Sequence, residues 1–331
     1  MTGFEEFHDE LRTVAADMLA KDSHPDWAVL ADAGWNGLEV PEALGGAGAT
    51  FAESAVLLDQ IARAAATTGY LGGAVLTCGV LNMLVPNDFR DQLLTAVASG
   101  QNRLAVVTGD FVLSNGRLSG RARFVPDALG CDRLLVVAGA EVAVVAATQL
   151  AIAAQPVVDE TRRLATITAD SAQVEDIAVF SGDPAEAVDA LRHRAEVAIA
   201  CDSLGLAEQM LIATVDYVKV RHQFGRPIGS FQAVKHACAD MLVAIEVARR
   251  LVADAVAAVS EGADAAVPAA MAKSHVCSAA VDVAGKAMQL HGGIGYTWES
   301  GIHTYLKRAT LNRSLFGSPA AHRKRLSQRY H

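Results

Sequence analysis

Residues 221 to 228 read Arg-His-Gln-Phe-Gly-Arg-Pro-Ile, and this stretch separates one long helical pattern from the next, which begins at Phe231-Gln232. It brings an arginine, a glutamine amide and an aromatic ring to the turn between two helices, a combination suited to a pyrophosphate and a planar base. The same residues are also ordinary at a helix end, where a cation complements the helix dipole and a glycine stops the helix. By itself, the stretch leaves both interpretations open.

A second block lies at residues 289 to 296 and reads Gln-Leu-His-Gly-Gly-Ile-Gly-Tyr, directly after another helical pattern. Its glycines remove side chains where a ligand could touch the backbone closely. No strand precedes the block, so it is not the G-x-G-x-x-G fingerprint of dinucleotide-binding folds. The two blocks together are more specific than either one alone.

With Ser-Phe-Gln-Ala-Val at residues 230–234, the two blocks closely resemble the C-terminal helical domain of the acyl-CoA dehydrogenase family. The resemblance runs without a gap from about Arg194 to Arg325, and weaker similarity reaches back to residue 1. It implies a mostly α fold with a small β domain (α+β). The expected layout is an N-terminal helical domain at 1–101, a shortened β domain at 102–183 and a C-terminal four-helix bundle at 184–331.

The periodicity of the chain is compatible with that layout. Apolar residues recur at helical spacing in both end regions and alternate in short runs between them. The predicted N-terminal helices are Phe4–Leu19, Trp27–Ala33, Phe51–Ala66, Leu71–Leu84 and Phe89–Ala98. The predicted strands are Leu104–Val107, Arg117–Phe124, Arg133–Val137, Val142–Ala147 and Leu164–Ala169. The predicted C-terminal helices are Ala185–Val220, Phe231–Val259, Pro268–Leu290 and Ile302–Gln328.

Composition excludes several classes of protein. The chain has 331 residues and is 52% hydrophobic, enough for a large core in two or three compact units. A net charge of -9 without a basic stripe argues against nucleic acid as a partner. An acidic start and interrupted apolar runs argue against a membrane partner and lead us to expect a cytoplasmic protein. The five cysteines are scattered without metal-ligand spacing, so we expect reduced thiols and no metal site.

The resemblance also implies which residues contact FAD. Arg221 would meet the pyrophosphate, and further residues would flank the ADP part or the adenine. In the family such residues reach across a dimer interface into the flavin site of a neighbouring subunit, so this chain is expected to complete a partner's cofactor site. The remaining expected contacts are Gln223, Phe224, Ile228, Gln232, Gln289, Gly292 and Gly293.

The chain departs from the family in two places. Full-length members carry a Thr-Glu-Pro-x-Ala-Gly-Ser-Asp-like loop near the flavin ring, whereas residues 106–111 here read Val-Val-Thr-Gly-Asp-Phe. Removal of the proton α to a thioester needs a carboxylate held beside the substrate. The two family positions for that base fall on Phe316 and Ala195, neither of which can accept a proton. Asp202, on the same helix face as Ala195, is the fallback base, although a hydrogen-bonding role between helices is the competing interpretation.

These departures resemble the short subunits of the αβ acyl-CoA dehydrogenases of actinobacterial steroid catabolism. The hypothesis is a subunit of an FAD-dependent enzyme that introduces an α,β double bond into a bulky or steroid-derived CoA thioester. A full-length acyl-CoA dehydrogenase subunit would then carry the catalytic base in a hetero-oligomer, expected as a dimer of αβ pairs. Two alternatives stay open: a self-sufficient homo-oligomeric dehydrogenase that uses Asp202 or another acid, and a structural relative that binds no flavin.

Overall fold

The N-terminal region is helical, as the periodicity predicts. The computed structural model describes residues 2–329, with side chains from residue 7 onward. Polar caps fix where these helices start: Thr50 and Glu53 form a capping box, and the Asn87 side chain accepts from Arg90 N. The helices are α1 (Thr2–Lys21), α2 (Trp27–Asp32), α3 (Phe51–Arg63), α4 (Thr77–Asn82) and α5 (Asp88–Ala98), with a π-helical turn at Leu71–Leu76 before α4.

The middle region forms two four-stranded sheets that face each other across their own apolar core. The first has the order β1-β4-β5-β8 and the second β2-β3-β7-β6, and all neighbours are antiparallel except β1 and β4. The strands are β1 (Leu104–Thr108), β2 (Asp110–Ser114), β3 (Arg117–Pro126), β4 (Arg133–Ala138), β5 (Glu141–Ala146), β6 (Ala151–Ala154), β7 (Leu164–Gln173) and β8 (Asp176–Val179). Only Gly109 separates β1 from β2.

The C-terminal region is a helical bundle built around α6 (Pro184–Val220). Its other long helices are α7 (Gln232–Ser260) and α8 (Ala266–His291), followed by α9 (Ile302–Ser314) and α10 (Pro319–Gln328). By length and composition α6 could cross a membrane, but 78% of its apolar window is buried inside the fold. The bundle core therefore accounts for its apolar character. The observed architecture is mostly α with a small β domain, as the sequence predicts.

The single helix predicted for Ile302–Gln328 is wrong, because the chain breaks between Ser314 and Pro319. Phe316 and Gly317 have positive φ values of 56° and 103°, which end α9. Pro319 then starts α10, where its missing N–H costs nothing, and the Ser318 side chain caps it. Buried Lys273 holds the break in place, since its Nζ donates to the carbonyls of Asn312 and Gly317, both at 2.9 Å.

Residues 221 to 228 form a small hairpin between α6 and α7. Strand β9 (His222–Gln223) pairs with β10 (Arg226–Pro227), and Phe224 and Gly225 make the turn. Both turn residues have positive φ, 54° and 78°, as a tight two-residue hairpin demands. Glycine adopts this conformation freely, whereas phenylalanine is strained in it. The stretch is therefore an ordered hairpin that projects from the bundle, not a simple helix end.

Candidate functional site

The hairpin and the glycine block come together in one open groove. Arg221, Gln223 and Ile228 line it from the hairpin side, and Gly292 and Gly293 line it from the end of α8. The groove has a volume of about 390 Å³. Sequence positions some seventy residues apart thus form a single surface because α6 and α8 pack against each other along the bundle.

The wall of the groove contains an aromatic stack that the sequence did not indicate. The rings of Tyr217 and His291 lie parallel, with centroids 4.4 Å apart and an interplanar angle of 20°. Tyr217 Oη donates to the His291 carbonyl at 3.3 Å, and the His291 ring hydrogen-bonds the Ala287 carbonyl through Nδ1 at 2.8 Å. The stack fixes the end of α8 against α6 and so sets the width of the groove.

The groove fits the diphosphate and adenosine part of a dinucleotide. The Arg221 side chain is exposed, and its guanidinium has no carboxylate partner among residues 7–329. A Cβ added at Gly292 or Gly293 would meet no atom within 4 Å, so the backbone there faces open space. A guanidinium beside backbone that carries no side chain can approach a phosphate closely and pair with it by charge.

Three of the expected FAD contacts lie outside the groove. The Gln232 side chain is exposed at the first turn of α7, and the Gln289 amide oxygen accepts from Lys286 Nζ at 3.5 Å. Phe224 is 91% exposed, and its ring lies edge-on to the Phe231 ring, with centroids 6.1 Å apart. The Arg226 guanidinium covers the Phe231 ring at 4.1 Å. Strained backbone clusters at functional sites, so the strained turn at Phe224 is a reason to ask what its exposed ring does.

A second cavity, of about 410 Å³, lies between the β domain and the bundle. Both Ala195 on α6 and Phe316 at the break after α9 line it, together with Thr108 at the end of β1. None of the described residues that line it carries a carboxyl group. The two positions expected for a base therefore meet in one space, and neither supplies an acid to it. The other lining residues are Leu76, Val106, Arg123, Phe124, Val125, Pro126, Val188, Leu191, Arg192, Leu311, Ser314 and Leu315.

The structure does not support Asp202 as a fallback base. Its carboxylate is fully buried, away from the cavity, and accepts from Arg308 Nε at 3.1 Å and Nη2 at 2.5 Å. Asn312 Nδ2 donates to it at 2.6 Å, and the Arg162 guanidinium lies at 2.9 Å. Burial raises the pKa of Asp202, but Arg162 and Arg308 outweigh burial and lower that pKa to about 2. The carboxylate links α6 to α9 and to the β domain. This agrees with the competing interpretation of Asp202, a hydrogen-bonding role between helices.

Glu196, the neighbour of Ala195, is also committed to structure. It is buried, and both of its carboxylate oxygens accept from Arg325 Nη2 at 2.9 Å. His322 lies beside it, with Nδ1 at 3.9 Å from the carboxylate. Glu196 therefore ties α10 to α6 and does not reach the cavity lining.

The chain matches two family models over most of its length. Residues 4–101 match "Acyl-CoA dehydrogenase, N-terminal domain", and residues 190–331 match "Acyl-CoA dehydrogenase, C-terminal domain". The acyl-CoA dehydrogenase IpdE2 of Mycobacterium tuberculosis is 36% identical over 303 residues, covering 91% of this chain and 85% of that protein. IpdE2 of Mycolicibacterium smegmatis is 32% identical over 301 residues, covering 91% and 86%.

Solved structures are similar over nearly the whole chain. The steroid ACAD Tcur3481-Tcur3483 has a TM-score of 0.88 and 28% identity, covering 98% of this chain and 97% of the matched chain. The ChsE4-ChsE5 complex from Mycobacterium tuberculosis has a TM-score of 0.88 and 25% identity, covering 97% and 96%. Butyryl-CoA dehydrogenase from Megasphaera elsdenii, at 19% identity and a TM-score of 0.85, shares the fold.

Proposed function

The chain belongs to the acyl-CoA dehydrogenase family, whose members are FAD-dependent flavoproteins, and we propose that it is the non-catalytic subunit of a hetero-oligomeric member. In this proposal a full-length partner supplies the base, and this chain supplies the ADP-binding half of the partner's flavin site. The observation that carries the proposal is the cavity that holds Ala195 and Phe316 without a carboxyl group, in a chain that keeps a separate groove lined by Arg221, Gly292 and Gly293.

Several residues of this chain have defined tasks in the proposed complex. FAD, when bound, supplies the acceptor for the hydride that leaves the acyl chain. Arg221 would hold the diphosphate by charge, and the backbone at Gly292 and Gly293 would lie against the cofactor with no side chain between. The Phe224 ring, exposed on its strained turn, would pack against the partner and exclude water from the flavin's ADP half.

The proposed substrate is a CoA thioester with a bulky, steroid-derived acyl part. Two observations support this class. The IpdE2 relatives, which are described as acyl-CoA dehydrogenases and match along most of their length, support the CoA thioester. A similar structure described as a steroid ACAD supports the steroid-derived acyl part. The one-residue connection at Gly109 leaves no loop between β1 and β2 to cover a thioester, so the partner would supply that cover.

The visible spectrum and the native mass test the proposal together. We would purify the chain alone and co-expressed with full-length homologues of the same source. The expected result is a colourless chain alone and a mixed species with one flavin for each pair of unlike chains. Full flavin occupancy of the chain alone, bleached by an acyl-CoA, would overturn the proposal in favour of a self-sufficient dehydrogenase.

The substitution Arg221→Glu separates these enzyme roles from a structural relative that binds no flavin. We expect it to lower the flavin content of the mixed species about tenfold or more, since a phosphate-binding cation becomes an anion. Lys219→Glu is the matched control, because it makes the same charge change two residues away on the exposed end of α6. Equal flavin content in both variants would favour the structural role.

A further inference from the structure

The cavity next to Ala195 has the size and lining of a ligand site in its own right. Its volume of about 410 Å³ lies within the range of about 300 to 1,000 Å³ typical of small-molecule pockets. Most of its surface is aliphatic, from strands β1 and β3, from α6 and from the end of α9. An apolar body of moderate size is the kind of group that such a lining accepts.

The charged groups at the cavity are all of one sign. Arg123 and Arg192 line it, and no carboxyl group does so among the described residues. Arg192 already pairs with Asp189 at 2.9 Å. Arg123, by contrast, is exposed and has no carboxylate partner in the part of the chain from residue 7 to 329; its guanidinium lies 5.2 Å from the Phe124 ring centroid. The mouth therefore offers an unneutralised cation on a chain of net charge -9.

A bulge in β3 places this cation and an aromatic ring at the mouth. The pairing of β3 with β7 shifts register between Ala122 and Val125. Within the bulge Phe124 has a positive φ of 58° and stays 42% exposed. Bulges commonly re-aim side chains beside binding sites, and a strained, exposed phenylalanine indicates a use for the ring at that place.

We propose that this cavity binds an amphipathic carboxylate, with the apolar body inside and the free carboxylate paired with Arg123 at the mouth. Such a ligand would be bound without chemical change, because neither Ala195 nor Phe316 can accept a proton. This site is distinct from the dinucleotide groove and belongs entirely to this chain. The inference therefore does not rest on the proposed partnership.

Fluorescence binding measures this site directly. The probe is cis-parinaric acid, added to the chain alone and to the mixed complex, and displaced in turn by palmitate, cholate, methyl palmitate and palmitoyl-CoA. We expect both free acids to displace the probe and the methyl ester to bind about tenfold more weakly than palmitate, since it lacks the charge that Arg123 would pair with.

Two matched variants test whether the ligand carboxylate pairs with Arg123. Arg123→Glu should weaken palmitate about tenfold or more and remove its advantage over the methyl ester. Arg121→Glu makes the same change on the same exposed strand, outside the cavity lining, and should alter binding by less than about twofold. Both side chains are exposed, so both variants should fold.

Three results would overturn the inference: no displaceable probe, equal affinity for acid and methyl ester, or tighter binding of palmitoyl-CoA than of palmitate. The last would assign the cavity to a thioester rather than a free acid. None of these results depends on flavin content, so failure here is separate from failure of the proposed function. Conversely, a chain that holds flavin alone and also binds palmitate would refute the partnership and keep this site.

Discussion

Ala195 and Phe316 line the same cavity although Ala195 lies in the first third of α6 and Phe316 lies at the break between α9 and α10. Restoring a carboxylate at one of them tests whether the base is all that the chain lacks. We predict that Phe316→Glu, expressed without a partner, shows no flavin bleaching by acyl-CoA, because Gly109 alone connects β1 to β2 and leaves no loop at that point to cover a flavin ring. Bleaching by this variant, measured anaerobically, would contradict the prediction.

Asp202 is predicted to be a stability residue. Asp202→Asn leaves the buried Arg308 guanidinium without its counter-ion, and breaking a buried ion pair costs about 3 to 5 kcal/mol. Chemical denaturation measures the loss. Asp189→Asn on the same helix, where the ion pair with Arg192 is exposed, should cost less than about 0.5 kcal/mol. A loss no larger than that of the control would show that the buried network is dispensable.

We predict that His322 makes the stability of the chain fall on mild acidification. Burial, Arg325 and Lys273 lower the pKa of His322 from 6.5 to about 4. Between pH 6.5 and 4, His322 therefore binds a proton in the unfolded chain but stays neutral in the folded chain. Stability is full above pH 6.5 and is lost as the pH falls toward 4, by no more than about 1.4 kcal/mol per pH unit.

Unfolding by urea at successive pH values checks this slope. In the folded chain the His322 ring is held neutral, since Nδ1 accepts from Arg325 at 2.7 Å and Nε2 donates to the Phe316 carbonyl at 3.2 Å. His322→Gln should be less stable at neutral pH but should show a flatter profile between pH 6.5 and 4. An unchanged slope would assign the acid sensitivity to other groups.

Gly293 provides a test of the groove that avoids backbone strain. An added Cβ there meets no atom within 4 Å, and its φ is not positive, so Gly293→Ala should leave stability nearly unchanged. Its methyl group would project into the groove lined by Arg221, and we expect the flavin content of the proposed complex to fall. Gly285→Ala, in α8 with equally open space, should raise stability by about 0.5 to 1 kcal/mol and keep the flavin. Equal flavin retention by both would argue against cofactor contact at Gly293.

We predict that Phe224 lowers the stability of the single chain but strengthens its association with the partner subunit. Asparagine tolerates a positive φ better than phenylalanine does, so Phe224→Asn should unfold at the same temperature or higher. Loss of a ring that is 91% exposed in the single chain should instead weaken the mixed complex, as measured by native mass at falling concentration. A complex of unchanged strength would show that the ring has no partner.

The sequence predicted the long elements of the fold because their signals are local. Repeated apolar spacing marked the helices, and caps set their starts. It missed β2, β6 and β8, which are only four or five residues long and lie at the edges of their sheets, where alternation is weak. The helix break was also missed, since Leu315 and Phe316 continue the apolar spacing while Lys273, distant in sequence, stabilises the break.

The candidate site was predictable only as two motifs. The blocks around Arg221 and Gly292 were identified from a family resemblance, but their meeting in one groove depends on how α6 packs on α8. Asp202 was ambiguous because its partner Arg308 is far along the chain. The local sequence did not indicate a role for Arg123 and Phe124. Their placement depends on a bulge in β3, and that bulge arises from the pairing of β3 with β7. Contacts between distant segments thus decide the chemistry here.

The single-residue connection at Gly109 has a consequence for the history of such a chain. A codon change can restore a lost acid, but no single substitution can rebuild a loop between two strands that are already paired into different sheets. A Cβ at Gly109 would even lie 2.9 Å from the Cβ of Ala122, so the connection is closed against larger residues. For the subunit proposed above, a return to independent activity would need an insertion, so its dependence on a partner would be hard to reverse by point mutation.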